Sequence, residues 1–161
     1  MPVRSFFSQV GLKYLKKSIK NGSVEAVDYY CRMLIKGKQI PEDLDKAREL
    51  IHKYFKTNES IFNLLEGKIS KKRSEYNEAL KYFERSNEEG NCESFYEYGR
   101  ILDILYQANT TDDNNQQQSL NESFKYYEQS AKTNFPKAMF KYGLILINEN
   151  ENTFFPIDIN P

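Results

Sequence analysis

The chain has 161 residues, 23 Lys/Arg balanced by 23 Asp/Glu, 39% apolar residues, 12 Tyr and 11 Phe but no Trp. That is one domain's worth of chain, with too few apolar residues for a thick core but with Tyr suited to thin helical layers, where its ring packs and its hydroxyl reaches water. Cys31 and Cys92 stand 61 residues apart, which excludes a disulfide framework or a cysteine metal pair and favours a reducing, cytoplasmic compartment; no apolar run approaches the ~18 residues of a membrane span.

In chain order, residues 1–40 carry Arg4, Lys13, Lys16, Lys17, Lys20, Arg32, Lys36 and Lys38 against Glu25 and Asp28, a net +6 that the rest of the chain offsets. A basic end suits nucleic acid or an anionic membrane surface, but no basic run or recognition motif accompanies it. A solvated helix face is the expectation, without a nucleic-acid partner. The first 24 residues lack an acid, as targeting segments often do. Residues 12–22 nevertheless match the repeat described below, so a folded helix is expected over 4–20.

Seven further helices are expected, over 24–36, 42–56, 58–70, 75–89, 92–107, 119–133 and 136–149. Gly37 stops the second, and Pro41-Glu42-Asp43 opens the third, with proline tolerated in a first turn and acids facing the positive helix end. Gly22, Gly90 and Asn134 read as stops able to take positive φ, and Asn58 stands at the corresponding place before the fourth helix. Thr110 to Ser119 is polar and low in complexity and reads as a disordered loop. Phe154-Phe155-Pro156-Ile157 reads as a tail that folds back as a cap, or else leaves an apolar face exposed.

These helices repeat. Lys81-Tyr82-Phe83-Glu84-Arg85-Ser86, followed by Gly90, Ser94 and Tyr98-Gly99, returns as Lys125-Tyr126-Tyr127-Glu128-Gln129-Ser130, Asn134, Ala138 and Tyr142-Gly143. It occurs earlier as Lys13-Tyr14-Leu15-Lys16-Lys17-Ser18, Gly22, Ala26 and Tyr30-Cys31. Ala26, Ser60, Ser94 and Ala138 are spaced 34, 34 and 44 apart, the last interval holding the 109–119 insertion. A period of that size means stacked helical hairpins. The expected fold is all-α: a right-handed α-α superhelix, or solenoid, of stacked antiparallel helix pairs within one domain over 1–161. Its units run 24–57, 58–91 and 92–135, with half units at 4–22 and 136–149 and a tail at 150–161. Small residues at the first and sixth positions of each first helix let its partner approach closely, and the aromatic between them fills the layer. Cys31 takes the place of a later Gly and is expected to be small and buried. Leu65 breaks the pattern of Ser60/Leu64/Leu65, so that layer must pack differently.

Gly37-Lys38-Gln39-Ile40-Pro41-Glu42-Asp43-Leu44-Asp45-Lys46-Ala47 resembles the Gly-x-x-Val/Ile-x-x-Asp-x-x-Lys-Ala linker of Sel-1-like repeats, relatives of the tetratricopeptide repeats. Lys125-Tyr126-Tyr127-Glu128-Gln129-Ser130-Ala131, with Ala138 and Tyr142-Gly143, is similar to the same family's Tyr-Tyr-x-x-Ala-Ala…Ala…Leu-Gly signature. The resemblance covers most of residues 11–147. It implies a superhelix that works as adaptor or scaffold in a protein complex. A cysteine-rich branch linked to β-lactam chemistry has a disulfide in each repeat, and this chain lacks those cysteine pairs.

Reactive groups do not converge in the sequence as catalysis requires. His52, the only histidine, lies among Leu50, Ile51, Tyr54 and Phe55, where a surface or interface position is expected. The seven glycines are scattered at repeat positions rather than gathered in a phosphate loop, and no residues have metal-ligand spacing. No enzyme activity, cofactor or metal is expected. A partner protein or peptide is expected in a concave groove lined by the first helices, at positions three before and one after residues 31, 65, 99 and 143. These are Asp28, Arg32, Phe62, Glu66, Tyr96, Arg100, Phe140 and Leu144. Aromatics and arginine are the side chains that dominate binding energy, while Asp28/Arg32 and Tyr96/Arg100 also read as ordinary i, i+4 pairs on wet helices. The alternative function is a piece of a longer repeat array that self-associates through its end helices.

Overall fold

Helix pairs joined by short turns make up the protein. The computed structural model describes the backbone of residues 3–108 and 113–149 and the side chains of residues 9–108 and 121–147. Among the described residues there are eight α-helices and no strand: α1 (Val3–Lys20), α2 (Val24–Lys36), α3 (Leu44–Tyr54), α4 (Glu59–Lys72), α5 (Tyr76–Glu88), α6 (Cys92–Ala108), α7 (Asp113–Lys132) and α8 (Pro136–Glu149). They gather into two compact units, Met1–Glu89 and Gly90–Pro161, divided where the repeat pattern changes from the 58–91 to the 92–135 unit. The tail at 150–161, with its expected cap, lies outside the described residues.

Within the first unit, the side chain of Ser23 accepts the Ala26 N–H at 3.1 Å and starts α2. Gly37, at φ 65°, closes the helix by donating its N–H to Met33 O. That left-handed conformation favours glycine, which has no Cβ to clash. The side chain of Asp43, rather than Pro41 or Glu42, opens α3 by accepting the Lys46 N–H at 2.8 Å. Val27, Cys31, Leu34 and Ile35 of α2 bury against Ala47, Leu50, Ile51 and Phe55 of α3 and its cap, with Leu65 and Ile69 of α4 completing the cluster. The Val, Leu, Ile and Phe side chains among them are each worth roughly 1.5–3 kcal/mol when fully buried.

One expected stop changes, and the layer at Leu65 packs differently, as its sequence implies. Asn58 is not a left-handed stop: at φ −113° its side chain accepts the Ile61 N–H at 3.1 Å and caps α4 from the front. Between α4 and α5 the left-handed residue is Ser74, at φ 61°, while Gly22, Gly90 and Asn134 take positive φ where the repeat puts them. Leu65 is buried in the core cluster, and the close helix contact has moved two residues along to Gly67, where an added Cβ would lie 2.6 Å from the fully buried Phe83 ring.

Gly67 facing Phe83, together with Ser86 Oγ donating to Ser60 O at 2.9 Å, shows that α4 and α5 run antiparallel. The second unit repeats the arrangement. Gly99 faces the Tyr127 ring, and Ser130 Oγ donates to Cys92 O at 2.6 Å. Ser86 and Ser130 hold the same place in the repeat, and both are fully buried. Among the described residues Gly143 has no close neighbour, so its small size serves no helix approach there.

The polar insertion is a further correction. From Asp113 onward its backbone is part of α7 rather than a loop. With 17 residues, α6 is three longer than the 14-residue α4, and α7, with 20, is seven longer than the 13-residue α5. Nearly all the extra length of this unit is therefore helix. Glutamine propagates a helix well, and an acid at the first position complements the helix dipole. Thr110 to Asp112 lie outside the described residues.

Cys31 is fully buried, and its thiol contacts Ala47 O at 3.8 Å. Burial first, and the nearby Asp28 carboxylate second, push that thiol from 9.0 up to about 12. The neutral form is thus favoured in the fold. Below pH 9 both folded and unfolded thiols keep the proton; between 9 and about 12 only the folded one does, so stability falls as pH rises through that window. Native protein is expected to shield Cys31 from iodoacetamide until denaturant is added. Cys31→Ala is expected to flatten the decline of Tm across the same window; an unchanged decline refutes the assignment.

The glycines separate two effects. Gly67→Ala is expected to lower stability by about 1–3 kcal/mol, because the Phe83 ring has no room to withdraw. Gly143→Ala, with open space around it, is expected to raise stability by up to ~1 kcal/mol through helix propensity. Urea unfolding of both variants measures the contrast, and two shifts of the same sign would falsify this account of the layers.

Candidate functional site

The eight residues expected to meet a partner fall four in each unit. On α2, Arg32 Nε donates to both oxygens of Asp28, at 2.8 and 2.9 Å, an i, i+4 pair about one quarter exposed. On α4, Phe62 packs against the core cluster and its ring meets His52 edge to face, with centroids 5.1 Å apart and planes at 77°. Glu66, expected on the surface, is 1% exposed and paired with Arg48 Nε at 3.0 Å. The stripe on α4 thus turns toward α3 rather than toward open solvent, because Phe62 and Glu66 share the helix face that packs there.

In the second unit, Tyr96 is half-buried between Tyr127 and Phe135, with ring centroids 5.7 and 5.6 Å away. The Arg100 guanidinium lies 5.9 Å from the Tyr96 ring, a cation–π distance, and 3.8 Å from Glu97. Tyr127, fully buried over Gly99, donates its hydroxyl to Asp103 at 2.7 Å, and Lys141 reaches Asp103 at 3.3 Å. Burial, followed by that hydrogen bond, raises the Tyr127 phenol well above its ordinary range. Phe140 and Leu144 differ from the rest: they are 70% and 42% exposed, and Ile147, one turn further along α8, is 64% exposed. These three at i, i+4 and i+7 form one apolar stripe.

Sequence reasoning missed a polar cavity in the first unit, between α3, α4 and α5. It holds about 470 Å3 and is lined in part by Arg48, His52, Glu66, Ser70 and Tyr82. Its one sequence signal is Glu66 and Ser70, polar at i and i+4 in a helix whose neighbouring Leu64, Leu65 and Ile69 are buried. Among the described residues no His, Cys, Asp and Glu side chains gather as a metal site would require. No helix there is long and apolar enough to cross a membrane.

No family model matches the sequence, and no curated protein does either. A search of solved structures returns the protective antigen c5321 of uropathogenic Escherichia coli strains, described as displaying an SLR fold. The two superpose with a TM-score of 0.57 at 19% identity, over 86% of this chain and 29% of the other. This chain therefore spans less than a third of that protein's length. At such identity the likeness shows the fold alone. The protein is an all-α helical-repeat protein with a Sel1-like repeat fold.

The Arg48–Glu66 pair sets an asymmetric expectation. Glu66→Gln leaves Arg48 free to turn to water, since its side chain is 35% exposed, and should cost about 1–2 kcal/mol. Arg48→Met strands a carboxylate in the interior and should cost about 3–5 kcal/mol. Chemical denaturation of the two variants compares them, and equal losses or the reverse order would contradict a buried carboxylate that depends on this arginine.

Proposed function

We propose that this protein is a non-catalytic interaction module that holds a protein or peptide partner as an adaptor or scaffold. The observation that carries the reading is the exposed apolar stripe Phe140, Leu144 and Ile147 on α8, in a fold of the helical-repeat class. Contiguous exposed apolar surface on a water-facing helix marks an interaction site, and repeat arrays use their helix faces to bind. The expected partner residues divide accordingly. Arg100, Phe140 and Leu144 reach a partner without rearrangement, whereas Phe62 and Tyr96 are partly committed to packing. Asp28 and Arg32 are placed to discriminate charge, and Glu66 lies beneath the surface. Unpaired Cys31 and Cys92 support a reducing, cytoplasmic setting.

The same stripe supports a second reading, in which the chain is a segment of a longer repeat array and α8 packs against another copy or a further repeat. Both readings meet in one experiment. Wild type and a Phe140→Asp/Leu144→Asp variant of unchanged helicity are compared by affinity capture with mass spectrometry and by light scattering over a concentration series. A partner retained by wild type and lost by the variant, with both monomeric, supports the adaptor. Wild-type oligomers that the variant dissolves support the array. Identical behaviour of the two proteins in both assays overturns the role of this face.

A further inference from the structure

The cavity between α3, α4 and α5 has a floor that its own protein does not satisfy. Glu66 and Ser70, one turn apart on α4, are each 1% exposed, and both line the cavity. Glu66 Oε2 accepts from Arg48 Nε at 3.0 Å, but Glu66 Oε1 and Ser70 Oγ have no hydrogen-bond partner. His52 Nε2 stands 3.3 Å from Oε1, near enough for charge attraction when the imidazole is protonated, yet without hydrogen-bond geometry. Leaving a buried polar atom unpaired is unfavourable, so two of them on one cavity floor point to something that fills it. A volume of about 470 Å3 exceeds a single water and falls within the span of small-ligand sites.

The chemistry of the filler follows from what is missing. An ionised carboxylate only accepts hydrogen bonds, so Glu66 Oε1 requires an N–H or O–H donor. The surrounding charges decide between a neutral donor and a cation. Arg48 is balanced by Glu66, Arg73 by Asp45 at 2.9 Å, and Glu78 by Lys81 at 3.3 Å. Glu75, also on the lining, is left over and makes the site negative. Tyr82 adds an aromatic wall, the surface that cations favour.

We propose that this cavity receives an organic cation bearing N–H donors, the ammonium or guanidinium of a partner protein's lysine or arginine side chain, with Glu66 and Ser70 as its acceptors. The inference relies on the proposed interaction role only in taking the cation from a protein. It does not involve the α8 stripe.

The test is an NMR titration of the full chain with four probes: Nα-acetyl-arginine amide, Nα-acetyl-lysine amide, the free diamine putrescine, and Nα-acetyl-citrulline amide, which keeps arginine's shape without its charge. The expected result is saturable shifts of the amides around Glu66, Ser70 and Tyr82 with a capped arginine or lysine, about tenfold tighter than with citrulline. Ser70→Ala and Glu75→Gln are expected to weaken binding severalfold while leaving the spectrum folded. Glu66→Gln should abolish it, and the other two variants keep the test decisive because Glu66→Gln also breaks the Arg48 pair. Binding by putrescine but not by the capped residues overturns the protein source and assigns the site to a free diamine. Equal shifts with citrulline, or none with any probe, overturn the cation site. The Phe140→Asp/Leu144→Asp variant should bind the probes as wild type does, which separates a failure here from a failure of the α8 reading.

Discussion

The close approach of paired helices over a residue with little or no side chain sets the spacing on which the other contacts depend. Gly67 lies against Phe83, Gly99 against Tyr127, and Cys31 against Ala47. In the first two pairs a ring occupies the volume that a larger residue on the opposite helix would need, so ring and glycine are one packing choice made on two helices. Once the backbones are that near, the serine hydroxyls of Ser86 and Ser130 can reach main-chain carbonyls across the pair. Hydroxyl and ring together hold each pair in one register: the ring sets the separation and the hydroxyl sets the slide.

The helices and most of their ends were legible in the sequence, because caps and stops are local chemistry. Ser23 and Asp43 accept hydrogen bonds three residues on, and Gly37 and Asn134 tolerate left-handed φ. The repeat marked the small residues of the layers but not their rings: the expected first-helix aromatic Tyr98 stacks on Tyr126, and the layers are filled from the second helix, by Phe83 over Gly67 and Tyr127 over Gly99. What escaped depended on residues distant in sequence. A glycine at 67 is visible, but its service as the contact residue in place of Leu65 is set by where Phe83 arrives. The polar run before Leu120 has the composition of a loop, and only its continuity with α7 makes it helical.

The candidate site was less legible for the same reason. Phe62 and Glu66 occupy the repeat positions that seemed to face outward, yet α3 lies over that side of α4 and covers them. A glutamate in the middle of a helix reads as solvated until Arg48, eighteen residues earlier, is seen beside it. The α8 stripe contains the two expected apolar positions that remained open, and Ile147 was outside the expected set because the small-residue frame does not extend to it.

The helical extension of the second unit bears on how such a chain changes its length. The pairing of α6 with α7 is held by Ser130 on Cys92 and by Tyr127 on Gly99 and Asp103. Apart from Asp103, these lie nearer the α6 start or the α7 end than the connection that joins the two helices. Extra residues enter at that connection and lengthen both helices there, seven of them adding about 10 Å to α7, while the fastened ends keep their match. The α6–α7 connection is thus the place where insertions and deletions are absorbed without re-pairing the helices.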